Sequence, residues 1–171
     1  MFDIFNRNIL LLSGLAIVVS TGIYVLWGSS QTKQSTSKEE TPTFSAVIAI
    51  DTSFSPGQKF IFTNVNVNTN NMYNPSNGIA EIPSDGNYVI TWHALTDAGY
   101  VTYPFLKVNS QYRGEAGCHA IGTTGVRVAC GNTLVLALKK GDKIWIEEQL
   151  ASENYNTNVQ ASYTSFAAWK L

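Results

Sequence analysis

Residues 87–96 read NYVITWHALT, and the alternation along this run decides the fold. Successive side chains of a strand point to opposite faces, so Tyr88, Ile90 and Trp92 share one face while Val89, Thr91, His93 and Leu95 share the other. One face is apolar and the other semi-apolar, and neither is plainly solvent. Such a strand suits a sandwich that buries one face in its own core and packs the other against a neighbouring subunit. Just before it, residues 84–86 (SDG) supply turn chemistry, and Gly86 suits a turn needing φ above zero.

Working outward, no helical periodicity appears after residue 43. Period-two and fully apolar runs, bounded by Gly, Asn, Pro and Asp, recur about every 10 to 15 residues instead. The predicted strands are 44–50 (FSAVIAI), 59–62, 79–82, 87–96, 103–109, 127–129, 133–138 (TLVLAL), 143–150 (KIWIEEQL) and 159–169. Turns are expected at 55–57, 74–78 (NPSNG), 84–86, 122–125 (GTTG) and 140–142 (KGD). The number of strands predicts an all-β, two-sheet sandwich over residues 44–171.

Residues 9–27, ILLLSGLAIVVSTGIYVLW, carry no charge and follow Arg7. An uncharged run of about 20 residues predicts a transmembrane helix, and Tyr24 and Trp27 mark its interfacial end. The competing reading is a cleaved signal peptide, with Gly28, Ser29 and Ser30 as small residues at a cut site. Both readings place the following domain outside the cell, on the membrane or secreted. Residues 1–8 form a short tail and 28–43 a polar linker without Gly-x-y repeats or heptads, so no stalk enforces an oligomer. A net charge of −1, with no basic cluster beyond Lys139 and Lys140, excludes nucleic acid as an expected partner.

Across residues 62–92 the series Phe62, Asn68, Tyr73, Ala80, Gly86, Tyr88, Ile90 and Trp92 resembles the signature of the complement component 1q globular-head family. The chain departs from that signature at Ala80, where the family carries an aromatic residue, at Ile90, where it carries Phe, and at Trp92, where it carries Phe or Tyr. The resemblance continues through Phe44, Ser45 and Ala46, through 136–145 (LALKKGDKIW), and through Ser165 and Phe166. It implies a ten-stranded jelly roll of the tumour necrosis factor type, assembled as a homotrimer that binds extracellular protein, glycan or microbial surfaces by avidity. Residues expected in the core or trimer interface are Phe44, Phe62, Tyr88, Ile90, Trp92, Leu134, Leu136, Leu138, Phe166 and Trp169. A membrane-tethered signalling ligand and a viral coat or appendage jelly roll are the alternatives.

Few residues suggest chemistry. Cys118 and Cys130 flank GTTG and form either a cross-strand disulfide of a hairpin or two buried thiols. His119 beside Cys118 points to the opposite face of a strand, and no second pair completes a zinc site. His93 is expected to be hydrogen-bonded at a packed or interfacial position, with a pH-sensing role as the minority option. No nucleophile elbow, carboxylate pair or phosphate loop is present, so the chain reads as a non-enzyme with no cofactor. Asp51, Asp85, Asp97 and Glu115 lie one per loop, which leaves room only for a weak or shared calcium site. The uncharged segment 64–77 (NVNVNTNNMYNPSN) is read as a loop and a candidate ligand surface through Asn68, Asn70, Asn71, Tyr73 and Asn74.

Overall fold

The computed structural model describes residues 15–19, 22–26, 40–122, 124–149 and 157–171. They fall in two compact units, Met1–Lys38 and Glu39–Leu171. In the first, β1 (Leu15–Val19) and β2 (Gly22–Leu26) pair antiparallel. This corrects the expected transmembrane helix over 9–27: its described part is a strand pair, in keeping with the β-branched and aromatic content of LAIVV and GIYVL. No helix among the described residues is long and apolar enough to cross a membrane. The rest of the 1–8 tail, the apolar run and the linker up to residue 39 lie outside the described residues.

In the second unit the strands are β3 (Thr43–Val47), β4 (Asn64–Asn68), β5 (Tyr73–Asn74), β6 (Ile79–Glu81), β7 (Gly86–Thr96), β8 (Val101–Thr102), β9 (Pro104–Val108), β10 (Gln111–Gly114), β11 (Cys118–His119), β12 (Val128–Leu138), β13 (Lys143–Glu148) and β14 (Ser165–Lys170). Ten of them make two five-stranded sheets, ordered β12-β7-β14-β3-β4 and β10-β9-β13-β6-β5, with β11-β8 as a short third pair. The architecture is the expected two-sheet jelly-roll sandwich. The alternation in β7 holds, since Tyr88, Ile90, Trp92 and Ala94 are buried.

Aromatic rings fill the space between the sheets. Phe166 meets Phe44 edge-on at 4.8 Å and Phe62 at 5.6 Å, while Tyr73 stacks on Phe44 at 4.9 Å. Such pairs prefer offset or edge contacts and add to the area they bury. The Trp92 indole N–H donates to the Pro104 carbonyl across the core at 2.8 Å, and Phe62 N–H donates to the Tyr73 hydroxyl at 2.9 Å. Burial pushes the Tyr73 hydroxyl up to about 12 despite that bond from Phe62. Gly78 (φ 73°) allows the turn before β6, where a Cβ would stand 2.4 Å from the Phe60 carbonyl oxygen.

Several local expectations are revised. The predicted break between 129 and 133 is absent, because Gly131 and Asn132 continue the ladder against His93 and Trp92 of β7. The run 59–62 forms only an isolated bridge, Lys59 to Glu147, and the last strand begins at Ser165, not 159. β4 forms within the segment read as a loop, since β-branched Val65 and Val67 between asparagines suit an edge strand. Cys118 and Cys130 are bonded, with Cα atoms 5.2 Å apart, but not within a hairpin. β11 pairs with β8, and the bond joins it to β12 at the position opposite Ala94. Replacing both cysteines by alanine is expected to cost about 3 kcal/mol, the entropy of a loop of this length, read from the urea midpoint with the native chain under reductant as the parallel case. An unchanged midpoint counts against a structural role for the bond.

Candidate functional site

The surface that stands out is the outer face of the sheet β12-β7-β14-β3. Cross-strand register sets it out in rows: Val135, Val89, Trp169 and Thr43; then Thr133, Thr91, Ala167 and Ser45; then Gly131, His93, Ser165 and Val47. None of these residues is Asp, Glu, Lys or Arg, and His93 is the one titratable side chain among them. Ordinary solvent faces of antiparallel sheets carry charge, and its absence over three rows is what a protein-covered face requires. Val135 is 59% exposed and Trp169 38%. Among them only the Thr133 hydroxyl bond to Thr91, at 2.9 Å, links side chains across strands.

Beside this face the sandwich is open between the edges of β10 and β12. The opening is lined by Phe105, Tyr112, Arg113, Asn132 and Leu134, and continues along Gln111, Leu136 and Leu138. Leu134 and Leu136 are only partly buried. A register shift between Tyr112 and Gly114 bends β10 inward, and Gly114 permits the approach because a Cβ there would lie 2.6 Å from Leu134 and 2.8 Å from the Trp92 ring. Tyr112 stands edge-on to Phe105 at 5.5 Å under the Lys107 ammonium at 4.1 Å. The Glu147 carboxylate, 2.8 Å from that ammonium, holds Lys107 above its ordinary range.

The residues expected in the core or interface divide between these places. Phe44, Phe62, Tyr88, Ile90, Trp92 and Phe166 lie wholly in the core of one copy, and Leu138 is also buried. Of the two places expected for them, Trp92 and Phe166 take the core, because their side of each strand faces the other sheet. Leu134, Leu136 and Trp169 keep surface to offer. Sequence reasoning placed Val89 on this outer face but did not single out Thr133, Val135 and Ala167, whose signal was the lack of Asp, Glu, Lys or Arg at alternate positions of 128–138 and 165–170.

The asparagine-rich segment serves a different purpose from the one expected. Tyr73 is 1% exposed and cannot meet a ligand. The Asn68 side chain accepts from Tyr73 N–H and donates to the Tyr73 carbonyl, each at 2.8 Å, so the two signature residues lock each other. Asn70, Asn71 and Asn74 remain exposed, with positive φ at Asn70 and Asn71. Because Asn68 pairs with Phe44, this segment lies at the end of the sandwich where Thr43 enters. The opposite end carries Ile50, Val126 and Tyr163, all more than half exposed, around the Arg127–Asp97 pair at 2.8 Å.

Three of the four carboxylates considered for calcium are occupied separately. Asp51 accepts from Ala161 N–H, Asp85 from Lys140 N–H, and Asp97 from Arg127 and Gln160. No group of three or more His, Cys, Asp or Glu suited to a metal occurs among the described residues. His119 is exposed while Cys118 beside it is buried, so the strand separates them.

A family model described as the C1q domain matches residues 43–169. No curated protein sequence matches significantly. Among solved structures, the globular domain of zebrafish complement 1qA protein superimposes with a TM-score of 0.63 at 19% identity, covering 77% of this chain and 98% of that one. Eiger TNF from S. frugiperda gives 0.62 at 10% identity, covering 77% and 92%. Murine APRIL gives 0.56 at 13% identity, covering 77% and 100%. At these identities the structures show a common fold.

Asn68→Ala removes both bonds to Tyr73 and leaves a part-buried N–H unsatisfied, so it is expected to destabilise by about 2 kcal/mol in urea titration. A neutral effect would return Asn68 to the ligand-loop reading.

Proposed function

We propose that this chain, which belongs to the C1q domain family, is an extracellular, non-enzymatic recognition module that works as a homotrimer. The observation that carries the reading is the uncharged outer face of β12-β7-β14-β3 beside the open β10/β12 edge. A face and an edge that differ from each other make a head-to-tail contact, which closes into a ring when the rotation allows it. In the trimer, Leu134, Leu136 and Tyr112 of one copy, with the edge around them, cover Val89, Thr91, His93, Val135 and Trp169 of the next. Three copies then present three identical weak sites, and avidity supplies the affinity for a repetitive protein, glycan or microbial surface. The recognising surface is the end around Ile50, Val126, Tyr163 and Arg127, away from the point where Thr43 enters the domain. Its mixture of apolar side chains with one ion pair is that of a protein-contact patch.

The tumour necrosis factor-type ligand reading shares this fold, and the family model favours the recognition module. Attachment to a membrane rests on the composition of 9–27, with secretion after cleavage as its alternative. The full chain is expected in the membrane pellet through an alkaline carbonate wash, and replacing Ile17 and Val18 by lysine should move it to the soluble fraction. Recovery of a shortened chain in the medium would select cleavage instead.

The assembly is tested by light scattering of the full chain in mild detergent. The mass should be that of three copies, with or without reductant. Val135→Asp should give a monomer, because an unpaired carboxylate would be buried in the contact, while the fold changes by about 1 kcal/mol or less since Val135 is exposed in one copy. A native chain of one-copy mass, or a Val135→Asp variant that stays trimeric, would overturn the interface.

A further inference from the structure

We propose that His93 makes the trimer sensitive to pH, so that assembly weakens as the surroundings acidify. The inference rests on the trimer reading above and concerns the regulation of that contact.

His93 is the one histidine on the outer face of the sheet. It sits on the second strand from the open edge, opposite Gly131 of β12 and Ser165 of β14. A Cβ at Gly131 would come within 2.4 Å of the imidazole Cδ2 and 2.6 Å of the Trp92 carbonyl. The missing side chain thus forms a shallow slot in β12, and the ring lies in it, directed across the strand toward the edge. In one copy the imidazole is exposed. Once a neighbour covers this face, the ring passes into the contact.

No group around it compensates a charge. Along β7 its same-face neighbours are Thr91 and Leu95, β12 offers Ala129, Gly131 and Thr133, and β14 offers Ser165 and Ala167. None of these titrates. The open edge of the neighbouring copy brings Tyr112, Arg113 and Glu115, with the Lys107–Glu147 pair beside the Tyr112 ring, two cations and two anions with no excess of negative charge. A neutral imidazole tolerates burial in such surroundings, whereas an imidazolium carries a full charge away from water.

The sign follows from proton counting. Covering the face takes the imidazole out of water, which disfavours its charged form, so the trimer takes up protons there less readily than separate copies do. Dissociated copies therefore bind more protons than the trimer through the ordinary imidazole range. The trimer has its full stability above that range and loses it as pH falls through it. Three such sites act together, which makes the response steep.

The test is the trimer–monomer equilibrium of the full chain in mild detergent, followed by analytical ultracentrifugation at pH 7.5 and 5.5. The apparent dissociation constant of the native chain should rise about 100-fold, the product of about fivefold at each of three imidazoles. His93→Gln should assemble with no such change, and His93→Asn serves where glutamine does not fit. His119→Gln should keep the native response. The monomeric Val135→Asp variant should keep its far-ultraviolet strand signal at both pH values, and its loss at pH 5.5 would assign the response to unfolding and overturn the proposal. It is also overturned if the native constant does not move or if His93→Gln moves as the native chain does. A native chain already monomeric at pH 7.5 removes the trimer itself, an outcome distinct from a trimer indifferent to pH.

Discussion

Phe166 is the point on which the sandwich depends. Its ring touches Phe44 and Phe62, with Tyr73 at 6.3 Å, and these rings come from segments separated by about a hundred residues from it. Aromatic burial is the largest single contribution that apolar side chains make to a core of this size. Here it also determines which segments lie beside one another. β14 takes its place between β3 and β7, and the second sheet closes over the same cluster through Tyr73 of β5. Among the described residues the ion pairs Lys107–Glu147 and Arg127–Asp97 stand apart, and no network of them is available to do this instead.

The two faces of the main sheet have separate tasks that the sequence encodes in alternate positions. The inner face carries Tyr88, Ile90, Trp92, Phe166 and Ala168, all buried within one copy. Apart from Trp169 and His93, the outer face keeps small or β-branched residues, and it carries no Asp, Glu, Lys or Arg. A one-residue slip of β7 would exchange the two sets, so register is held strongly by the core. The same constraint places His93 outside, opposite a glycine.

Much of the fold was legible because a strand half buried in a sandwich leaves a period-two signature, and 87–96 carries it without interruption. The continuity of β12 was hidden by Gly131 and Asn132, two residues of turn chemistry held in line by the ladder to β7. β4 was hidden for a related reason: asparagine reads as loop, but on an edge strand its amide meets solvent and only Val65 and Val67 need to suit the sheet. The helix expected over 9–27 followed from hydropathy alone, whereas β-branched residues in that stretch also suit strands. For the surfaces, aromatic residues in the sequence drew attention to Trp92 and Tyr73, which are interior. The contact face is written in modest residues whose significance is collective, and that is visible only after cross-strand register puts them in rows.

The position of β14 in the middle of the main sheet bears on the order of events during synthesis. β3 is made more than a hundred residues before its partner β14 and cannot complete its side of the sheet until residues 165–170 have left the ribosome. The hairpins of the second sheet have their partners closer in the chain, but the apolar residues they bury against β14 remain uncovered through this interval. Folding is therefore a late, nearly single event, slow in the way that proteins dominated by distant contacts are. Until then the exposed apolar surface leaves the chain open to association with other unfinished copies.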